Sequence, residues 1–190
     1  MTIKEVLALA LECLGREELI PVLDKTSSTL TDDEKQEVNS LLRCYNFVEN
    51  EVALDYCPLK KEETVKVQND KLYYTRLSKT PARIRKVVSG GELVRFSEYP
   101  DHILFGDGWQ DTVNVAYNYL PTGKTALTQS AEVADGQVSA RLIALGVTAQ
   151  YFLVNGETGR AALWDKKYRD ALRAKNLLRK AVTIRSRRWV

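Results

Sequence analysis

Thr112-Val113-Asn114-Val115-Ala116-Tyr117-Asn118-Tyr119-Leu120 is the segment on which the architecture turns. Apolar and aromatic side chains at 113, 115, 117 and 119 share one face of an extended chain, and Asn114 and Asn118 take the other. That period of two is the signature of a half-buried β-strand.

Back from this strand to Glu63, short β-rich runs alternate with turn residues. The runs are Thr64 to Val67, Leu72 to Leu77, Ile84 to Val88, Leu93 to Phe96 and Ile103 to Phe105. Asn69-Asp70, Pro81, Ser89-Gly90-Gly91, Pro100-Asp101 and Gly106-Asp107-Gly108 punctuate them. Five or six short antiparallel strands joined by hairpins are predicted, forming a small sheet or open barrel.

Both flanks change period. Thr2-Ile3-Lys4-Glu5 and Thr31-Asp32-Asp33-Glu34 each have the S/T-x-x-E form of a capping box. Ile3, Leu7, Ala10 and Leu14 follow the first, with Gly15 as a stop, and Val38, Leu41, Tyr45, Val48 and Val52 follow the second in a longer helix that ends before Pro58. Residues 26 to 31 read as a linker rich in Ser and Thr. Beyond the β region, Val138, Leu142, Leu145, Ala149 and Phe152 mark a third helix. Asn155-Gly156 breaks it, Thr158 is placed to cap a fourth, and the two form an antiparallel pair. The fourth helix puts Ala161, Trp164, Tyr168, Ala171, Ala174 and Leu178 on one stripe, and from Thr183 the chain reads as an extended arm. The expected class is α+β: a helical body over 1–60 and 122–182, a central antiparallel β-insert over 61–121, and a basic C-terminal arm over 183–190.

At 190 residues, 44% hydrophobic and 28% charged, the chain suits one globular domain or one domain with a sizeable insertion. A core of that size needs neither disulfide nor metal. No apolar run reaches the ~18 residues of a membrane span. The acidic, helical start has no basic flank or small-residue cleavage site, so a soluble product that stays where it is made is expected. Three cysteines, Cys13, Cys44 and Cys57, without C-x-x-C spacing suggest free thiols in a reducing compartment. His102 is the single histidine, which argues against a zinc site or His-based catalysis.

The net charge of +3 is unevenly placed. Ten basic residues against Asp165 and Asp170 give +8 from Asp165 to Val190, leaving −5 on the first 164 residues. Such a split marks an end that meets phosphate, membrane or an acidic protein surface.

Motifs of chemistry are thin. Gly123-Lys124-Thr125 follows a strand as a phosphate-binding loop would, but the glycine required five residues before Gly123 is Asn118. Pro121 also removes a backbone N–H from the would-be cradle, so a plain polar loop is expected. Cys57 with His102 is the least remote nucleophile and base, and the carboxylates Glu5, Asp32, Asp33 and Glu34 sit at helix starts, where they offset the helix dipole. No enzymatic activity and no cofactor or metal is predicted. The arm is different: Ile184, Trp189 and Val190 among Arg185, Arg187 and Arg188 suit a groove on another protein, where aromatics and arginine carry most binding energy. Contact of the basic helix and arm with DNA is the alternative.

In element order and local texture the whole chain resembles the head-to-tail connector (adaptor) proteins of tailed bacteriophages, including the tubular tail ring protein of short-tailed phages. The resemblance rests on the N-terminal helical pair, and on Ile84-Arg85-Lys86-Val87 leading to Val113-Asn114-Val115-Ala116-Tyr117-Asn118-Tyr119-Leu120-Pro121. It rests also on Arg141-Leu142-Ile143-Ala144-Leu145-Gly146, then Ala162-Leu163-Trp164-Asp165-Lys166-Lys167-Tyr168 and Ala171-Leu172, before the basic end. It implies a structural virion protein of the neck, assembled in the bacterial host cytoplasm as a ring of copies, usually twelve. Such a ring docks on the portal protein after packaging, passes genomic DNA through its channel and presents a face to the next tail component. Portal docking would fall to Lys175, Arg179, Lys180, Ile184, Arg185, Arg187, Arg188, Trp189 and Val190.

Overall fold

The computed structural model describes residues 1–25, 29–106, 109, 111–133 and 138–178. The fold is α+β, a helical body carrying an antiparallel β-insert. Both capping boxes form: Thr2 and Glu5 close the start of α1 (Ile3–Leu14), and Thr31 and Glu34 close that of α2 (Asp32–Glu51). Each pair satisfies two backbone N–H groups that a helix start otherwise leaves unpaired. Gly15, at φ 71°, ends α1 in the left-handed conformation that glycine adopts without strain. Between these helices lies a 3₁₀ segment over Glu17–Asp24 that no periodicity announces. A π-turn over Val52–Tyr56 ends α2.

The helix α3 (Ala140–Val154) is the axle of the body, packed against α1, α2 and α4 (Thr158–Ala174). Leu142, Ile143, Ala144, Gly146, Val147, Thr148 and Ala149 are all buried, so α3 is covered nearly all round. Gly146 is required here. A Cβ at that position would lie 2.7 Å from Val48 Cγ1 and 3.1 Å from Tyr168 Cε2, so only glycine lets α2 and α4 approach α3 this closely. Two expectations are corrected at α4. Its N-cap is Glu157, whose side chain makes no capping bond, and Thr158 is already helical. The helix stops at Ala174 rather than running through Leu178: Asn176 turns left-handed at φ 55°, and Leu177 folds back, buried, with its N–H bonded to Leu172 O at 3.0 Å. Burying Leu177 and half-burying Leu178 on the body outweighs one more helical turn.

Among the described residues the insert has seven strands in two sheets, not a single hairpin-linked sheet. β1 (Leu59–Lys66), β7 (Thr112–Tyr119), β3 (Pro81–Ser89) and β4 (Glu92–Leu93) are ordered 1-7-3-4. β2 (Lys71–Tyr73), β6 (His102–Leu104) and β5 (Ser97–Glu98) form the second sheet. The alternating strand β7 lies between β1 and β3, pairing Leu59 with Tyr119 and Val65 with Val113 on one side and Val87 with Val115 on the other. Its apolar face, with Ile84 and Val87, forms a second core with Leu72, Ile103 and Phe105. The turns expected at Asn69-Asp70 and Gly90-Gly91 form, and all four residues take left-handed backbone.

β3 departs from simple alternation. Two bulges set Ala82 and Arg83 together opposite Asn118, and Arg85 and Lys86 together opposite Ala116. Its inward residues Ile84 and Val87 are therefore three apart, and its basic residues double up on the outer face.

Candidate functional site

Of the nine residues predicted to dock on a partner, Lys175 is described: it caps the end of α4 and is exposed. Arg179, Lys180, Ile184, Arg185, Arg187, Arg188, Trp189 and Val190 lie outside the described residues, as does the whole arm. The chain enters that stretch from a fixed point, because Leu177 and Leu178 pack on the helical core.

The described body carries a groove of its own. It has a volume of about 330 Å³ and lies between α2 and α4, floored by Gly146, Ala149 and Leu153 of α3 and rimmed by Glu51 and by the Asp165–Arg169 ion pair. Tyr168 reaches into it with a buried hydroxyl that has no hydrogen-bond partner among the described residues. Burial pushes the Glu51 carboxyl above its usual range, against the hydrogen bond it accepts from the Tyr56 hydroxyl at 3.2 Å. The helical body also shows several large apolar side chains to solvent: Phe47 and Leu54 along and after α2, Leu153 and Val154 at the end of α3, and Leu163 on α4, with Leu153 lining the groove. An apolar slot with a charged rim accepts an apolar side chain flanked by polar groups.

A second cluster explains how the insert is held to the body. Lys124, expected on an exposed polar loop, is buried. Its Nζ lies 2.8 Å from Glu132 Oε1 and 3.9 Å from Glu49 Oε2 on α2, and its side chain is 5% exposed. Asn46 of α2 clasps the Lys124 main chain from both sides, donating to its carbonyl at 2.9 Å and accepting from its N–H at 2.7 Å. Glu132 also accepts from Lys79 at 3.2 Å, which precedes β3, and from the Thr122 N–H at 2.8 Å. Burial raises the Glu132 carboxyl, but the bonds from Lys124, Thr122 and Lys79 outweigh it and hold it down at about 2. Glu49 is pushed up by burial, partly offset by the Glu132 N–H it accepts at 2.7 Å and by the Lys124 charge. The Gly123-Lys124-Thr125 lysine thus serves as a structural counter-ion. Nothing in the sequence marks it, since its partners lie 75 positions upstream and eight downstream.

The remaining reactive side chains are scattered. His102 begins β6, stacked on Tyr99 at 4.8 Å and bonded to Asp101 at 2.6 Å, while Cys57 closes the π-turn of the body. Burial raises the Cys44 thiol to about 11 and also raises that of Cys13. Among the described residues no group of three His, Cys, Asp or Glu side chains is placed to hold a metal ion, and no helix is long and apolar enough to cross a membrane. No protein-family model matches the chain, and no curated protein matches it in sequence.

Proposed function

We propose that this protein is a structural subunit of a phage neck, a connector ring between portal and tail with a central channel for the genome. The observation that carries the reading is the set of apolar side chains that the α2–α4 body leaves more than half exposed: Phe47 at 54%, Leu54 at 52%, Leu153 at 54%, Val154 at 62% and Leu163 at 55%. Large apolar side chains left in water, one of them on the groove floor, are surface that an assembling subunit can bury against its neighbours. A closed ring needs two unlike faces that fit head to tail, and the groove supplies one of them. The basic end, from Lys175 onward, is the portal-docking element in this reading, and the charge split of −5 against +8 suits contacts between unlike surfaces.

The alternative, a DNA-binding protein using the C-terminal helix and arm, is weakened on α4 itself. Asp165 beside Arg169 and Asp170 beside Arg173, both pairs at 2.9 Å, reduce the five cations of that helix to a net +3. Light scattering and negative-stain imaging of the full chain, alone and mixed with the portal of its virion, test the proposal. A ring stacked on the portal is expected, and is lost on deletion of residues 183–190 while the monomer stays folded. A chain that remains monomeric and unbound at every ratio, or a truncation that completes virions at wild-type yield, overturns it.

A further inference from the structure

We propose that the outer face of the four-stranded sheet is a sequence-independent docking surface for the phosphate backbone of duplex DNA. This goes beyond the ring reading and does not depend on it. The pairing register sets two cationic rails on that face. β1 contributes Lys60 and Lys66, and the two bulges of β3 bring Arg83, Arg85 and Lys86 to the same side. Between them runs the uncharged rail of β7, with Thr112, Asn114 and Asn118. All five cations are exposed. Glu62 is the one carboxylate on these three rails, reaching Lys86 across β7 at 3.5 Å, so the face carries a net +4. Ala116 lies beneath that pair and is buried.

The chemistry selects the partner. The rails are two strand spacings apart, about 10 Å. Lys60 and Lys66 are six residues apart, about 20 Å along the strand. Flexible lysines and arginines on that grid match phosphates on either side of a duplex groove, whose widths are about 6 and 12 Å. Amide and hydroxyl side chains between them are the usual neutral partners of phosphate oxygens. No aromatic side chain stands on these rails, which disfavours single strands held by base stacking. Apolar anchors of the kind a protein interface needs are confined to one corner, where Leu93 is exposed beside Val88. The Lys86–Glu62 pair is solvent-exposed and therefore weak, so Lys86 is available to a phosphate.

The test is fluorescence anisotropy of two unrelated 30-base-pair duplexes with the full chain between 50 and 300 mM salt. It compares wild type with Arg83→Gln/Arg85→Gln/Lys86→Gln, with Lys60→Gln/Lys66→Gln, and with a chain lacking residues 183–190. Both duplexes should bind equally well. The β3 variant should flatten the plot of log affinity against log salt by about 2 to 3, at about 0.9 for each phosphate no longer neutralised, and the β1 variant by about 2. These residues are exposed, so unchanged far-UV circular dichroism should accompany the loss. The arm deletion should leave the contribution of these five residues in place. Wild-type affinity and slope in both sheet variants, no duplex binding by wild type at 50 mM salt, or equal binding to polyglutamate would each overturn the proposal, the last in favour of an acidic protein. Ring formation is read separately by light scattering, so failure here leaves the connector reading standing.

Discussion

Replacing Lys124 by methionine keeps the length of the side chain and removes the charge that sits between Glu132 and Glu49. The ionised Glu132 is held at about 2, against an ordinary glutamate near 4.3, which corresponds to roughly 3 kcal/mol of folded-state stabilisation shared among Lys124, Thr122 and Lys79. The substitution forfeits the Lys124 share and also leaves the Glu49 carboxyl, 1% exposed, without its cation. Breaking a buried pair from one side costs about 3 to 5 kcal/mol. For a chain of this size that lowers Tm by about 6 to 20 °C, measurable by circular dichroism alongside urea unfolding. The pH dependence has a definite sign. A carboxyl whose folded pKa is depressed stabilises the fold fully above about pH 5 and loses that contribution as pH falls toward 2. The gap between wild type and variant should therefore narrow over that window. Adding Glu49→Gln removes the buried carboxyl that has lost its cation and keeps an oxygen to accept the Glu132 N–H, so the double variant should recover at least about 1 kcal/mol. A Lys124→Met protein within 1 kcal/mol of wild type at pH 7, or a gap that ignores pH between 2 and 5, refutes this account of the cluster.

Thr31→Ala removes the hydroxyl that accepts the Glu34 N–H at 3.3 Å and should cost about 1 kcal/mol in urea unfolding, with Thr31→Ser recovering most of it. Gly146→Ala gains up to about 1 kcal/mol of helix propensity but drives a Cβ to 2.7 Å from Val48. The overpacking cost of about 1 to 3 kcal/mol should prevail, as a lower Tm. Cys44, 2% exposed and with its thiol at about 11, should resist iodoacetamide at pH 8 in the native protein and react once urea unfolds it. Mass spectrometry of the alkylated peptides reads the difference.

What is local in this protein is legible along the chain. Both capping boxes, the glycine stop of α1, the buried stripe of α2, the alternation of β7 and the turns at Asn69-Asp70 and Gly90-Gly91 depend on residues within a few positions of one another. Distant groups settle the rest. Leu59 pairs with Tyr119 because β7, buried on one face, needs a strand on each edge, and no hairpin signal predicts a partner 60 residues away. Pro81 reads as turn punctuation before the Ile84 to Val88 run, yet β3 begins at Pro81, and its two bulges break the period of two. They also put Arg83, Arg85 and Lys86 on one face, where a strict alternation would have turned Lys86 inward. The end of α4 follows the burial of Leu177 rather than its own helical spacing. Lys124 looks like loop surface because its neighbours in sequence are polar, while its environment is set by Asn46 and Glu49 on α2. Charge and pattern along a chain fix which faces want burial. Which two faces meet, and which lysine is left between them without water, is fixed only when the long loops close.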